Sequence, residues 1–330
     1  MALIEDYLRY IAVVRRYSAR TQAVYRDALE RFAAFAAPEG TDEELLAALV
    51  PRLIRGYEVR LLDEEGLAPR TVHLHLSVLS GFCRHLLREG KLSANPVSRV
   101  ARPKQEKRLP VFYREDAMRG YLEETAADAG EDTFSLLLSY GPRTEWNATA
   151  EALYKRRLHR CLLATLYCTG IRRAELIGLS VGSVDLGRRS LSVRGKGDKM
   201  REIPLVPSIC QELSLYLRAV ESMEGGRRPA QAPLFVTETG RALYPVYVDR
   251  VVKAEFRDGR GFTGRKSPHV LRHTLATELL DGGTDLNSIK EMLGHASLAA
   301  TQVYTHSSIE RLKKVYVNAH PRAKNGGKDD

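Results

Sequence analysis

Little in this sequence can make a cross-link, a metal cage or a membrane span. Only four cysteines occur in 330 residues, Cys83, Cys161, Cys168 and Cys210, and no two of them form a Cys-x-x-Cys pair. That spacing gives neither a disulfide framework nor a thiolate zinc site, and the cysteines read as small buried apolar residues in a reducing compartment. No stretch approaches the roughly 20 apolar residues that a membrane span needs. The opening Met1-Ala2-Leu3-Ile4-Glu5-Asp6 carries acidic residues and no long apolar run, unlike a secretory leader. The expected location is the cytoplasm, with no membrane partner.

What is present is ordinary in quantity and uneven in distribution. Hydrophobic residues make up 44% and charged residues 28%, which fits a globular chain long enough for two domains. The formal net charge is +10 and the pI about 9.4, which favours a polyanionic partner such as DNA. Residues 1–100 hold 14 Lys and Arg against 13 Asp and Glu, so nine of the ten excess charges fall in residues 101–330. The plainer reading of that charge is a soluble basic protein.

Residues 1–98 read as a bundle of four or five helices with short connections. Tyr25, Leu29, Phe32 and Phe35 recur at helical spacing after the cap residues Ser18 and Thr21. Gly66-Leu67-Ala68-Pro69-Arg70-Thr71 breaks the pattern. Val72, Leu76, Leu79, Phe82, Leu86 and Leu87 resume it until Gly90 and Asn95-Pro96. His73, His75 and His85 are read as surface or groove residues. Residues 99–110 hold five basic residues, one acid and two prolines, which predicts an extended interdomain linker. Its one-signed charge favours phosphate contacts by Arg102, Lys104, Lys107 and Arg108, although a merely solvated linker would also be charged. From residue 111 helices dominate, interrupted by one hairpin. Ser190-Leu191-Ser192-Val193-Arg194 and Met200-Arg201-Glu202-Ile203-Pro204-Leu205 flank a turn whose glycines permit positive φ. Residues 125–152, with the single tryptophan, Trp146, read as an insertion, a loop or an extra helix. Residues 321–330 read as a flexible tail.

Several short segments carry chemistry. Arg172 opens a helix with Glu175 one turn later, a spacing that lets the carboxylate hold the guanidinium toward a phosphate; an ordinary surface ion pair has the same spacing. Lys196 sits at the glycine-flanked hairpin tip, where a lysine is either solvated or able to swing into a nucleic acid. His269 and Arg272 share one face of a helix start and can grip one anion together. His269 and His273 have the spacing of a zinc pair, but position 270 is valine where a metalloprotease helix has glutamate. His295 follows a helix that ends at Gly294, and Tyr304 lies nine residues further on. A tyrosine is commonly a core residue, and as a nucleophile it needs surrounding positive charge. Together these groups suit attack on a phosphodiester with neither metal nor cofactor: arginines neutralise charge, the phenol attacks, and lysine or histidine moves protons.

In that order, Arg172, Lys196, His269, Arg272, His295 and Tyr304 resemble the catalytic set of the tyrosine recombinase (phage integrase) family. Leu293-Gly294-His295 and Gln302-Val303-Tyr304-Thr305-His306 look like its most recognisable strings. Ser18-Ala19-Arg20-Thr21 through Phe35, and Leu67-Ala68-Pro69-Arg70-Thr71 through Asn95-Pro96, are similar to the core-binding domain of bacterial Xer recombinases. Ala319-His320-Pro321-Arg322-Ala323 resembles the Xer ending, and the chain is expected to begin at the core-binding domain. Residues 125–152 make the gap before Arg172 longer than the Xer pattern. The resemblance implies a mainly α, two-domain C-shaped DNA clamp with a small β-sheet in the catalytic domain. Its domains would be core-binding 1–98, linker 99–110 and catalytic 111–320. It implies site-specific recombination through a 3′-phosphotyrosyl intermediate at Tyr304, with Glu175 orienting Arg172 and Arg70 among the DNA contacts. The implied partners are double-stranded DNA, a tetramer on two sites (of one chain or with a paralogue) and a septal DNA translocase as activator. The implied role is chromosome-dimer resolution. An integrase of a phage or mobile element, or a catalytically inactive DNA-binding protein, are the other readings.

Overall fold

A computed structural model describes residues 1–104, 113, 115–195, 198–257, 262 and 264–294. The chain divides into two units, Met1–Arg108 and Leu109–Asp330.

The first unit is built from α1 (Ala2–Val13), α2 (Ala19–Ala36), α3 (Asp42–Ala48), α4 (Pro51–Val59) and α5 (Pro69–Arg88). Ser18 starts α2 by accepting from the Thr21 amide, and Pro69 stands in the first turn of α5, where its missing N–H costs nothing. Leu29 and Phe32 of α2 and Val72, Leu76, Leu79, Phe82 and Leu86 of α5 are buried in one core with Leu8 and Ile11 of α1, while Tyr25 and Phe35 pack at its edge. Two histidines read as surface groups belong to this core instead. His75 and His85 fall on the buried face of α5, three residues after Val72 and Phe82 respectively. His75 Nδ1 lies 2.9 Å from the Tyr57 hydroxyl, and the His85 ring stacks on Tyr10 at 4.8 Å. Burial pushes both imidazoles below their ordinary pKa.

The beginning of the expected linker is also tied down. Pro96–Arg99 forms a 3₁₀ turn, Val100 is buried, and Arg102 Nη1 donates to Ser77 Oγ at 3.1 Å. His73 Nε2 meets the Pro103 carbonyl at 2.8 Å, so Arg102 and Pro103 are held to α5 while Arg102 and Lys104 remain exposed.

The second unit surrounds α8 (Ala148–Thr169), which is buried almost all round and so serves as the central core helix. α6 (Glu115–Glu124), α7 (Glu131–Ser139), α10 (Pro207–Glu224), α11 (Pro245–Glu255) and α12 (Pro268–Asp281) complete the core. Two arginines inside α8 require a partner, and Glu212 of α10 supplies it, accepting from Arg160 Nε at 2.8 Å and Arg157 Nη1 at 3.5 Å. Residues 125–152 are neither loop nor appendage. They form two short 3₁₀ turns around α7 and then enter α8. Phe134 and Leu137 are buried in the core, Arg218 of α10 lies 4.5 Å over the Phe134 ring, and Trp146 Nε1 donates to the Gly141 carbonyl.

Three antiparallel strands, β1 (Val184–Asp185), β2 (Ser190–Arg194) and β3 (Met200–Pro204), make the sheet. Register pairs Leu191 with Ile203 and Val193 with Arg201, placing all four on the buried face. At the hairpin turn, Gly195 N–H donates to the Lys199 carbonyl. The positive φ among its described residues belongs to Asp198 at 63°, not to a glycine. Asp tolerates that region through its short polar side chain, and Arg194 pairs with it at 3.3 Å.

Candidate active site

Two helix ends and one strand build the site. α8 finishes at Gly170 (φ 60°) and α13 (Leu286–Leu293) at Gly294 (φ 68°), both left-handed terminators that suit glycine. A helix C-terminus leaves carbonyls without intrahelical donors. Here arginines satisfy them. Arg201 Nε on β3 donates to the Met292 carbonyl at 3.1 Å, Arg272 Nη2 on α12 to Leu293 at 2.6 Å, and Arg172 Nη2 to Gly294 at 2.8 Å. Arg272 Nη1 reaches the Gly170 carbonyl at 2.7 Å, linking the two ends. Three guanidinium groups therefore hold three successive carbonyls, and the negative end of the α13 dipole adds to the attraction.

Two of them, Arg172 and Arg201, share the counterion Glu175, in the short helix α9 (Arg173–Ile177). Its carboxylate accepts from the Arg172 main-chain N–H at 2.8 Å, from Arg172 Nη1 at 2.7 Å, and from Arg201 Nη1 and Nη2 at 3.0 and 2.8 Å. Burial pushes the Glu175 carboxyl up, but the hydrogen bonds from Arg201 and Arg172 outweigh it and hold the group at about 2. Arg272 is pushed down to about 10 by burial and by the neighbouring charge of Arg172. Arg172 remains 35% exposed at its side chain, the most open of the three.

His269 stands at the start of α12 with its side chain at the surface. Partial desolvation and the charges of Arg173, Arg272, Arg265 and Arg172 hold it below the ordinary imidazole range, favouring the neutral ring. His269 and Arg272 occupy one helix; the Arg272 guanidinium bonds the Gly170 and Leu293 carbonyls, and its charge still acts on the exposed His269 ring. Arg173 turns away and pairs with Asp249 of α11. Lys196, His295 and Tyr304 lie outside the described residues, as do Lys107 and Arg108. The hairpin nevertheless reaches the site: a Cβ placed on Gly195, the residue before Lys196, would lie 3.8 Å from Glu175 Oε1. Arg70, Arg102 and Lys104 belong to the first unit and are exposed there.

Sequence reasoning missed two features. Arg201 is one; the available signal was its inward position in the alternation of β3, since a buried guanidinium demands a carboxylate. The other is a cleft of about 610 Å³ beside His269, lined by Arg173, Asp249, Lys253, Arg265, Lys266, Ser267 and Pro268. Four cations against one carboxylate make it a basic groove. Among the described residues, no group of three or more His, Cys, Asp or Glu is placed to hold a metal ion.

Comparison with known proteins agrees with this architecture. The phage integrase N-terminal SAM-like domain matches residues 4–90, and the phage integrase family pattern matches residues 147–311. The tyrosine recombinase XerC of Chlorobaculum parvum is 34% identical, over 97% of this chain and 94% of its own length. XerC of Pelobacter propionicus is 36% identical over 98% and 97%. In fold, the chain is similar to the XerH site-specific recombinase bound to palindromic difH substrate, with TM-score 0.61 and 22% identity over 91% of this chain and 80% of that one. It is similar also to a Tn1549 transposon integrase in complex with transposon right end DNA, with TM-score 0.64 and 17% identity over 94% and 99%. A shared fold alone would leave the activity open, but relatives this similar across nearly their whole length do not. This chain belongs to the tyrosine recombinases of the phage integrase family and is a Xer-type, site-specific DNA strand-exchange enzyme.

Proposed function

We propose that this recombinase resolves chromosome dimers at cell division, in the cytoplasm, as four protomers on two DNA sites. The protomers are copies of this chain or of this chain and a paralogue, with a septal DNA translocase as activator. In the reaction, the Tyr304 phenolate oxygen bonds to the scissile phosphorus as the bond from phosphorus to the 5′-oxygen breaks. His269 takes the phenol proton, and Lys196 gives one to the leaving 5′-oxygen. Arg172, Arg272 and His295 stabilise the charge on the non-bridging oxygens. The 5′-hydroxyl of a partner strand then attacks the phosphotyrosine, so bond energy is kept and no nucleotide cofactor is consumed.

The observation that supports this reading is that Arg172 and Arg201 converge on Glu175, and that these two and Arg272 hold the carbonyls of Gly294, Met292 and Leu293, which end one residue before His295. A preorganised cationic cage is what a phosphoryl transition state requires. The neutral tendency of His269 suits a proton acceptor. Lys196, His295 and Tyr304 take their roles from their order in the sequence.

The test is a nicked suicide substrate carrying the recombination site. The wild-type chain should accumulate a covalent 3′-phosphotyrosyl adduct, undiminished by EDTA, and Tyr304→Phe should bind the DNA without forming one. An adduct on Tyr304→Phe would remove the nucleophile assignment, and loss of the wild-type adduct in EDTA would remove the metal-free mechanism.

A further inference from the structure

We propose that Arg201 is a positioning residue of strand exchange, fixing Glu175, and through it Arg172, while anchoring the end of α13. The inference rests on the proposed recombinase chemistry and extends it to a side chain that the Arg…Lys…His-x-x-Arg…His…Tyr set does not contain.

Glu175 has two guanidinium partners and divides them unequally. Arg201 takes both carboxylate oxygens, at 3.0 and 2.8 Å, in the paired geometry that fixes a carboxylate plane. Arg172 donates to one oxygen from its side chain and to the other from its main-chain N–H. Arg201 therefore adds a coplanar, two-bond hold on the same carboxylate that meets Arg172. Arg201 is itself buried, whereas Arg172 stays partly open, so the support lies behind the group it supports. The third nitrogen, Nε, donates to the Met292 carbonyl. The close approach at Gly294 also involves Arg201: a Cβ there would lie 3.2 Å from both Cζ and Nη1 of Arg201, in addition to the strain of φ 68°. Glycine before His295 thus leaves room for this guanidinium. A lysine at 201 keeps the charge, but one ammonium cannot serve two carboxylate oxygens in a plane and a carbonyl on a third side.

The experiment uses full-length Arg201→Lys and Arg201→Met, with thermal unfolding, DNA affinity and the cleavage rate at saturating suicide substrate. Arg201→Lys should fold, bind DNA about as well as wild type, and cleave about 10- to 100-fold more slowly. Combined with Glu175→Gln, it should cleave within about twofold of the slower single variant, because both act through one contact. Arg201→Lys cleaving at the wild-type rate would overturn the proposal, as would a loss confined to DNA affinity or fully multiplicative effects in the double variant. Failure of every substitution to fold, Lys included, would also overturn it and leave Arg201 as a stability residue. A wild-type chain that forms no adduct would defeat the recombinase chemistry itself, a separate result.

Discussion

Glu175 illustrates how much one side chain is asked to do. It caps α9 at the Arg172 amide, neutralises two arginines and is buried, so losing its charge affects all three. Its folded-state pKa is about 2 against an ordinary 4.5, a depressed acid. The stability it contributes is therefore fully present above pH 4.5 and is lost as pH falls toward 2. The size is on the order of 3 kcal/mol. Glu175→Gln should destabilise the second unit at pH 7 and flatten its stability between those two pH values. Urea unfolding across that range checks this, and an acid limb equal to wild type's would contradict it. Glycine 170 belongs to the same local logic: its φ is positive, and a Cβ would stand 2.6 Å from Leu293 Cδ2, where α13 closes on α8.

At the scale of elements, α7 is the piece that sequence reading left undecided. Its Gly, Asp, Ser and Pro neighbours are turn formers, and its apolar residues Phe134, Leu136, Leu137 and Leu138 form too short a run to fix a period, so the segment is ambiguous without its partners. Burial of Phe134 beneath Arg218 resolves it. Phe134→Ala should cost about 3–5 kcal/mol, read as a lowered urea midpoint; a cost near zero would mean a loop. The helices of the first unit were legible because apolar residues recur at 3.6-residue spacing, and the hairpin because two alternating runs flank a glycine-rich turn. Arg172, Glu175, His269 and Arg272 were legible as spacings within single segments. Arg201 was not, because its meaning depends on Glu175, 26 residues away, and on Met292, 91 residues away. His75 and His85 were misread for a related reason: their polarity suggested the surface, whereas their helical phase placed them in the core. Register carries the same lesson in reverse. Slipping β3 by one residue would put Met200 or Glu202 where Arg201 belongs and dismantle the cage.

At the scale of the whole molecule, two groups of positive charge among the described residues of the second unit differ in kind. One kind lies in the groove of Arg173, Lys253, Arg265 and Lys266. The other lies in the cage, where Arg172, Arg201 and Arg272 are already matched by Glu175 and by helix-end carbonyls. Removing the charge of a phosphate-contacting groove residue, by Arg265→Ala or Lys266→Ala, should lower the slope of log affinity against log salt by about 0.9 per phosphate no longer neutralised. Arg172→Ala should leave that slope nearly unchanged while greatly slowing cleavage. A titration of DNA affinity against potassium chloride separates the two, and a full unit of slope removed with Arg172 would refute the division. The carbonyl-bound arginines also differ from the groove in what surrounds them. Their charge is already met by Glu175 and helix-end carbonyls in the folded chain, so they stand in place before DNA arrives. The expected outcome is a division of labour: groove substitutions act more on the salt dependence of binding, and cage substitutions more on the rate of cleavage.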